Sequence, residues 1–239
     1  MSFFQELIDL FIPPLCFGCD DAISPGHSFC YECQKTWDAW IAHKCPKCGR
    51  PAPLCTCVPS ARKNKPDNRL FYAFYYAPRE EGCIANRMIH MLKRDFDRRL
   101  LRFLAGYLAG IVHSSADAHG IDLSEYAITY PPRARRAIRR HGHDHTALLA
   151  RALGRELNLP VIKALTRIGN RAQKELTAKE RQLNAVQSYK LAKNVALEGK
   201  KLILLDDVIT SGATLTVCEA LLYTAGAEDV LLCTLAKDI

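Results

Sequence analysis

The hydrophobic pattern predicts strands and helices in alternation over most of the chain. "LFYAFYYA" (70–77) is a short aromatic run that reads as a strand. In "EEGCIANRMIHMLKR" (80–94) Ile84, Met88, Met91 and Leu92 recur at helical spacing, and "RRLLRFLAGYLAGIVHS" (98–114) continues helical. "YAITY" (126–130) is strand-like, "HTALLARALGREL" (145–157) helical, and "LPVI" (159–162) a short strand. "KKLILLDDV" (200–208) reads as a longer buried strand. "TLTVCEALLYTAG" (214–226) reads as a helix closed by Gly226, and "DVLLCTL" (229–235) as a last strand. That alternation argues for an α/β fold with a parallel sheet and helices on both faces. Cys218 and Cys233 then fall on buried faces, where packing is their expected role.

Before residue 70 the periodicity gives way to paired cysteines. Of eleven cysteines, eight lie between 16 and 57: Cys16/Cys19, Cys30/Cys33, Cys45/Cys48 and Cys55/Cys57. A C-x₂-C turn sets two thiolates on one side of a tight knuckle, and two knuckles supply a tetrahedral Cys₄ site for Zn²⁺. Sequence order groups Cys16, Cys19, Cys30 and Cys33 around one ion, and Cys45, Cys48, Cys55 and Cys57 around another. A crossed pairing is the alternative, and His27 and His43 are reserve ligands. One or two structural zinc ions would staple a segment too small to hold itself together. "VPSARKNKPDN" follows, polar, basic and proline-punctuated, and reads as a linker. The expected division is a zinc-ribbon domain with linker at 1–66 and an α/β domain at 67–239.

Composition adds little to this but excludes some classes. The chain has 239 residues, 49% hydrophobic and 24% charged, as ordinary globular proteins have. "FLAGYLAGIV" (103–112) is too short for a membrane span. The start, "MSFFQELIDLFIPPLC", has no basic leader and is interrupted by Glu6 and Asp9, so neither signal peptide nor membrane insertion is expected. A cytoplasmic location follows from that reading, and many cysteines there argue for metal rather than disulfides. The net charge of +8 suits a phosphate-rich partner or a solvated basic surface equally. No G-x₄-G-K-[ST] loop is present, so the chain is not a motor ATPase of that type.

The candidate chemistry sits in "LILLDDVITSGATL" (202–215). In an open α/β sheet, ligands bind beyond the carboxyl ends of the strands, and Asp206 and Asp207 sit at that edge, after Leu202 to Leu205. Thr210, Ser211, Gly212, Ala213 and Thr214 then lead into a helix, whose free amides and hydroxyls suit a phosphate dianion. Gly212 permits a backbone geometry that a side chain would forbid. The acids would grip vicinal sugar hydroxyls or a water on a sugar-bound Mg²⁺. A ribose 5-phosphate held at both ends fits that arrangement.

Leu202 to Thr214 resembles, position by position, the thirteen-residue phosphoribosyl pyrophosphate (PRPP) signature of type I phosphoribosyltransferases. With the cysteine-knuckle start, the whole chain resembles the ComF/GntX family, which includes the ComFC competence proteins. "YPPRARR" after its strand, "RRHGHDHTALLARAL" and "QKELTAKERQLNAV" support the resemblance. It implies a type I phosphoribosyltransferase-like domain behind a double zinc ribbon, PRPP with Mg²⁺ as ligand, and Asp206, Asp207 and Thr210 to Thr214 as its site. It also implies a pyrophosphate loop at Pro131, Pro132 and Arg133, and a mobile loop carrying Gln173, Lys174, Arg181 and Asn184. His141 and His143 depart from the arginine and aromatic residue common in the family, whereas Asp144 and His145 stay within its range.

Arg133, Arg135, Arg136, Arg139 and Arg140 crowd one short stretch. If it is helical, Arg136 and Arg140 share a face at i,i+4 and repel by a few tenths of a kcal/mol (~0.3) unless an anion relieves them. Pyrophosphate and a single-stranded DNA backbone are both candidates. The family resemblance implies a role in DNA uptake during natural transformation, with single-stranded DNA and a competence helicase as partners. The alternative is an active phosphoribosyltransferase of nucleotide or carbon metabolism. Whether bound PRPP is consumed separates the two.

Overall fold

The computed structural model describes residues 13–63, 69–168 and 188–239. Gln173, Lys174, Arg181 and Asn184, and the expected domain boundary at 66, lie outside the described residues. In chain order the strands are β1 (Leu70–Tyr76), β2 (Tyr126–Thr129), β3 (Leu165–Arg167), β4 (Tyr189–Leu191), β5 (Lys201–Ile209) and β6 (Asp229–Asp238). The helices are α1 (Tyr31–Ile41), α2 (Ile84–Arg94), α3 (Arg98–His119), α4 (Arg135–His141), α5 (His145–Glu156) and α6 (Ala213–Thr224). The central sheet has the order β1-β6-β5-β2, and every pairing in it is parallel.

Strand alternation sorts the core into two layers. Leu202 and Leu204 of β5 pack with Leu215, Cys218 and Leu222 of α6. Their neighbours Ile203 and Leu205 join the opposite layer, with Leu104 and Leu108 of α3 and Leu149 and Leu153 of α5. The expected two-sided parallel α/β sheet is therefore what the structure holds, and Cys218 and Cys233 are fully buried in it.

The helix ends follow their local chemistry. Asp97 opens α3, its Oδ1 accepting from the N–H groups of Arg99 at 2.7 Å and Leu100 at 3.1 Å. The helix runs on past residue 114 to His119, where Gly120 takes the left-handed conformation that stops it.

The cysteine-rich segment does not stand apart from the sheet. Trp37 of α1 packs edge-on against Phe74 of β1 at 5.3 Å, and Phe29 against Phe103 of α3 at 5.3 Å. Phe17 joins the same aromatic cluster, touching Phe29 and Phe103. Burying one phenylalanine of this kind stabilises by about 1.5–3 kcal/mol. Polar ties fix the orientation: Trp40 Nε1 donates to Tyr75 O at 2.9 Å, Tyr75 Oη to Arg50 O at 2.9 Å, and Arg87 Nε to Phe17 O at 3.0 Å. Phe71 to Tyr75 are all buried, so β1 is covered on both faces.

One expectation needs correction. "LPVI" forms no strand; it makes a single parallel bridge, Val161 to Ile128, with hydrogen bonds from Ile128 N to Pro160 O and from Ile162 N to Ile128 O, each 2.8 Å. Pro160 has no N–H with which to extend the ladder. β5 runs to Ile209, with Asp206 and Asp207 in its carboxyl-terminal part, as the 200–208 reading has them. β3 and β4 pair antiparallel, three residues each, too short to leave a periodic signal. Among the described residues, no helix is long and apolar enough to cross a membrane.

Candidate functional site

The eight clustered cysteines form two groups in sequence order. The ligand atoms of Cys16, Cys19, Cys30 and Cys33 all lie within 4.8 Å of one another, as do those of Cys45, Cys48, Cys55 and Cys57. Sulfur pairs stand 3.8 Å apart at Cys19/Cys30 and Cys45/Cys57, and 3.6 Å at Cys48/Cys55. Four sulfurs at about 2.3 Å from Zn²⁺ would be separated by about 3.8 Å, so both groups fit the ion. Neither includes a histidine: His43 instead stacks on Trp40 at 5.2 Å. Gly18 makes the first knuckle possible, because a Cβ there would lie 2.5 Å from Cys33 Sγ.

Thiol acidities point the same way. Burial opposes ionisation of Cys16, but N–H groups of Cys30 and Gly18 directed at its sulfur bring it down to about 7. Cys55 falls to about 6 against burial, helped by Tyr72, the Cys57 amide, Tyr75 and Lys237. Cys57 is pushed up to about 12 by burial and by the neighbouring Cys48 and Cys45. Cys16 in the first group, and Cys45 and Cys55 in the second, ionise more readily than a free thiol while neighbours such as Cys57 resist, a conflict that a dication among them removes. Zn²⁺ would supply that charge and the tetrahedral cross-link.

The acid pair on β5 is not symmetric. Asp207 is committed: its Oδ2 takes a hydrogen bond from His145 Nε2 at 2.8 Å and an ion pair from Lys93 Nζ at 3.1 Å. Burial opposes its charge, yet Lys93 and His145 outweigh that and hold it well below the usual carboxylate range. Asp206 has the reverse environment. Burial first, then the negative charge of Asp207, push it up to about 8. Its Oδ1 accepts from the Asp207 N–H at 2.9 Å. His145 reaches Asp207 because Asp144 caps α5, accepting from Ala147 N at 3.2 Å, and so fixes the helix's first turn.

Asp144 has a second task. Its Oδ2 accepts the Arg133 N–H at 2.9 Å, while Arg133 Nη1 donates to Lys93 O at 3.0 Å. The loop after β2 is thereby tied to the residues around Asp207; burial lowers the Arg133 pKa, and the Asp144 and Asp207 carboxylates offset that only in part. Pro132 and Arg133 line a cavity of about 490 Å³ that also has Arg135, Arg151, Lys163 and Arg167 in its walls. Arg136 and Arg140 are exposed on α4 and do not line it.

On β5's far side, Thr210, Ser211, Gly212, Ala213 and Thr214 form the turn into α6. Gly212 adopts φ 81° at the cap position and supplies no capping side chain. Ala213 N–H donates to Ser211 Oγ at 3.4 Å. The structure thus brings the acid pair, the glycine turn, Pro132 and Arg133 to one end of the sheet.

Sequence reading missed several partnerships here. Lys93 and His145 carry no motif of their own that marks a partnership with Asp207. Arg98 and Arg102 on α3, and Arg151 and Arg155 on α5, line a second cavity of about 550 Å³ with Phe96. α3 and α5 pack together, so two i,i+4 arginine pairs face one groove. Among the described residues none of these four is in an ion pair. Phe96 is 53% exposed, with Arg98 at 5.9 Å over its ring and His143 at 6.2 Å. Arg151 belongs to both cavities and joins this groove to the Arg133 pocket. The i,i+4 spacing was the available signal.

Comparison with known proteins agrees with this layout. Residues 7–63 match the double zinc ribbon domain family model. The chain is 29% identical over 241 residues to the DNA utilization protein YhgH of Escherichia coli strain K12, covering 96% of this chain and 100% of the relative. It is 28% identical over 227 residues to Competence protein F of Haemophilus influenzae, covering 93% and 90%. A hypoxanthine-guanine phosphoribosyltransferase from Bacillus anthracis superposes on 57% of this chain and 68% of its own at 17% identity, with a TM-score of 0.38, too slight a likeness to carry weight. The resemblance to competence-type proteins therefore extends over nearly the whole chain, with a double zinc ribbon at the amino-terminal end.

Proposed function

We propose that this protein binds PRPP, or a closely related ribose phosphate with Mg²⁺, at the carboxyl end of β5 and handles single-stranded DNA during natural transformation. One observation carries the first half: the signature acids and glycine turn share one end of the sheet with the Asp207–Lys93–Arg133 linkage. Thr210 to Thr214 would hold the 5-phosphate. Arg133 would meet the pyrophosphate, and Asp206 the ribose or a water on its Mg²⁺. The ion would neutralise pyrophosphate charge. Asp207, fixed by His145 and Lys93, would orient rather than titrate. Any transfer step would pass the ribosyl group to an acceptor as pyrophosphate leaves.

The DNA half is supported by the arginine groove between α3 and α5 and by the names of the relatives, a DNA utilization protein and a competence protein. Unpaired cations beside an exposed aromatic ring suit a single-stranded backbone with stacked bases. The test is calorimetric titration of PRPP with and without Mg²⁺, followed by pyrophosphate release with candidate bases and single-stranded DNA. Binding without turnover supports a scaffold. Turnover with one acceptor supports the transferase reading instead. The double variant Asp206→Ala/Asp207→Ala should lose PRPP binding and keep its zinc; unchanged affinity would remove the site assignment.

A further inference from the structure

The stretch after the second cysteine group reads from sequence as a linker, but the structure uses it as a wall of the phosphate loop. We infer that Pro59 to Arg62 forms a strap that sets the shape of the Ser211–Gly212 turn, with Arg62 as its positioning residue and the second metal group as its anchor. This rests on the reading of that turn as a phosphate loop.

Contacts run along the whole strap. Ala61 N–H donates to Ser211 O at 2.9 Å. At Gly212 the strap lies against bare backbone: a Cβ there would stand 3.2 Å from Pro59 Cβ and 3.4 Å from Arg62 Cγ. Arg62 is 1% exposed and its guanidinium makes a two-pronged pair with Glu219, Nη1 to Oε2 at 2.8 Å and Nη2 to Oε1 at 3.1 Å. Glu219 lies on α6, the helix that the turn begins. The strap therefore holds the turn directly through Ser211 and indirectly through the helix behind it.

The other end of the strap is fixed to the metal group. Lys237 Nζ, on β6, donates to Cys57 O and lies 3.4 Å from Cys55 Sγ. Cys57 is a ligand position, and Ala61 follows it closely in sequence. Burying an arginine and a glutamate together returns little net stability compared with an apolar pair of similar size. What a forked, fully buried pair supplies is a fixed geometry. The cap residue Gly212 offers α6 no side chain, and Ser211 Oγ takes only a long 3.4 Å bond from the Ala213 N–H, so the turn's conformation leans on what lies against it.

The strap is tested by amide hydrogen exchange across residues 209–214 of the full zinc-loaded chain, without ligand, alongside PRPP titration. The variants are Arg62→Lys, which keeps the charge but loses the fork, and Arg62→Met/Glu219→Met, which removes both charges together. Zinc content should stay at the wild-type value in both. Exchange at Ser211 to Thr214 should rise by about tenfold, and the Kd for PRPP by about tenfold, in the methionine pair. Arg62→Lys should fall between it and wild type. Wild-type exchange rates in a folded, zinc-loaded variant would overturn the strap. Should wild type bind no PRPP, the ligand reading fails while the exchange rates still decide the strap. Should the methionine pair not fold, Arg62→Lys decides alone: faster exchange supports the strap and wild-type exchange refutes it.

Discussion

His145 Nε2 lies 2.8 Å from Asp207 Oδ2, so the second acid of the signature is held by a side chain from the opposite layer before any ligand arrives. Lys93 adds its charge from α2 at 3.1 Å. Two adjacent carboxylates thereby acquire different characters, one fixed and anionic, the other ready to take up or release a proton.

Removing the imidazole should expose its contribution. His145→Ala leaves a buried carboxylate short of one donor, and the expected loss is about 2–3 kcal/mol. Urea unfolding should show a lower midpoint at unchanged slope. His145→Gln, which restores a donor, should recover part of it. Equal stability in His145→Ala and wild type would mean that Lys93 alone suffices.

Asp206 should make stability depend on pH in an unusual direction for a carboxylate. The folded chain holds this proton more tightly than the unfolded one, so stability falls as pH rises from about 4 toward 8. Asp207 acts oppositely: its contribution is present above the unfolded value of about 3.9 and is lost as pH falls below it. Asp206→Asn should therefore melt about 4 °C above wild type at pH 8.5 and within about 1 °C of it at pH 5. A difference of the same size at both pH values would contradict the assignment.

Each cysteine group should bind independently of the other. Cys16→Ser is expected to lower zinc from two ions per chain to one, and Cys48→Ser to do the same, as read by elemental analysis of purified protein. Full zinc content in either variant would show that three sulfurs are enough.

The groove between α3 and α5 makes a prediction about salt. Arg102→Glu/Arg155→Glu should weaken binding to a fluorescent oligothymidine at least about tenfold, and flatten the slope of log K against log salt by about 1.4. PRPP binding should not change. An unaltered slope would move the DNA contact elsewhere on the surface.

Much of the fold is legible in sequence because it rests on long apolar runs. Leu202 to Leu205 and Val230 to Leu232 could be little other than buried strands, and the cysteine spacing gave both metal groups in the right order. Shorter features were hidden. β3 and β4 have three residues each, and "LPVI" looked like a strand although Pro160 limits it to one bridge. At the site, the motif residues could be named, but not the inequality of Asp206 and Asp207. That depends on Lys93 of α2 and His145 of α5, which lie far from Asp207 in sequence and meet it only in the folded chain. Arg62 was concealed in another way: in a basic, proline-punctuated stretch, nothing local distinguishes a fully buried arginine from solvated neighbours.

The position of β1 has a consequence for how the chain is made. It forms one border of the parallel sheet, and an aromatic-rich border strand is a template on which other chains can pair and aggregate. Trp40 prevents part of this by occupying the Tyr75 carbonyl, while Trp37, itself stacked on Phe29, covers the Phe74 ring beside it. Those residues depend on the cysteine groups for their placement. A newly synthesised chain that has not yet acquired metal would present this border unguarded. Zinc supply during synthesis would then govern how much of the protein escapes self-association.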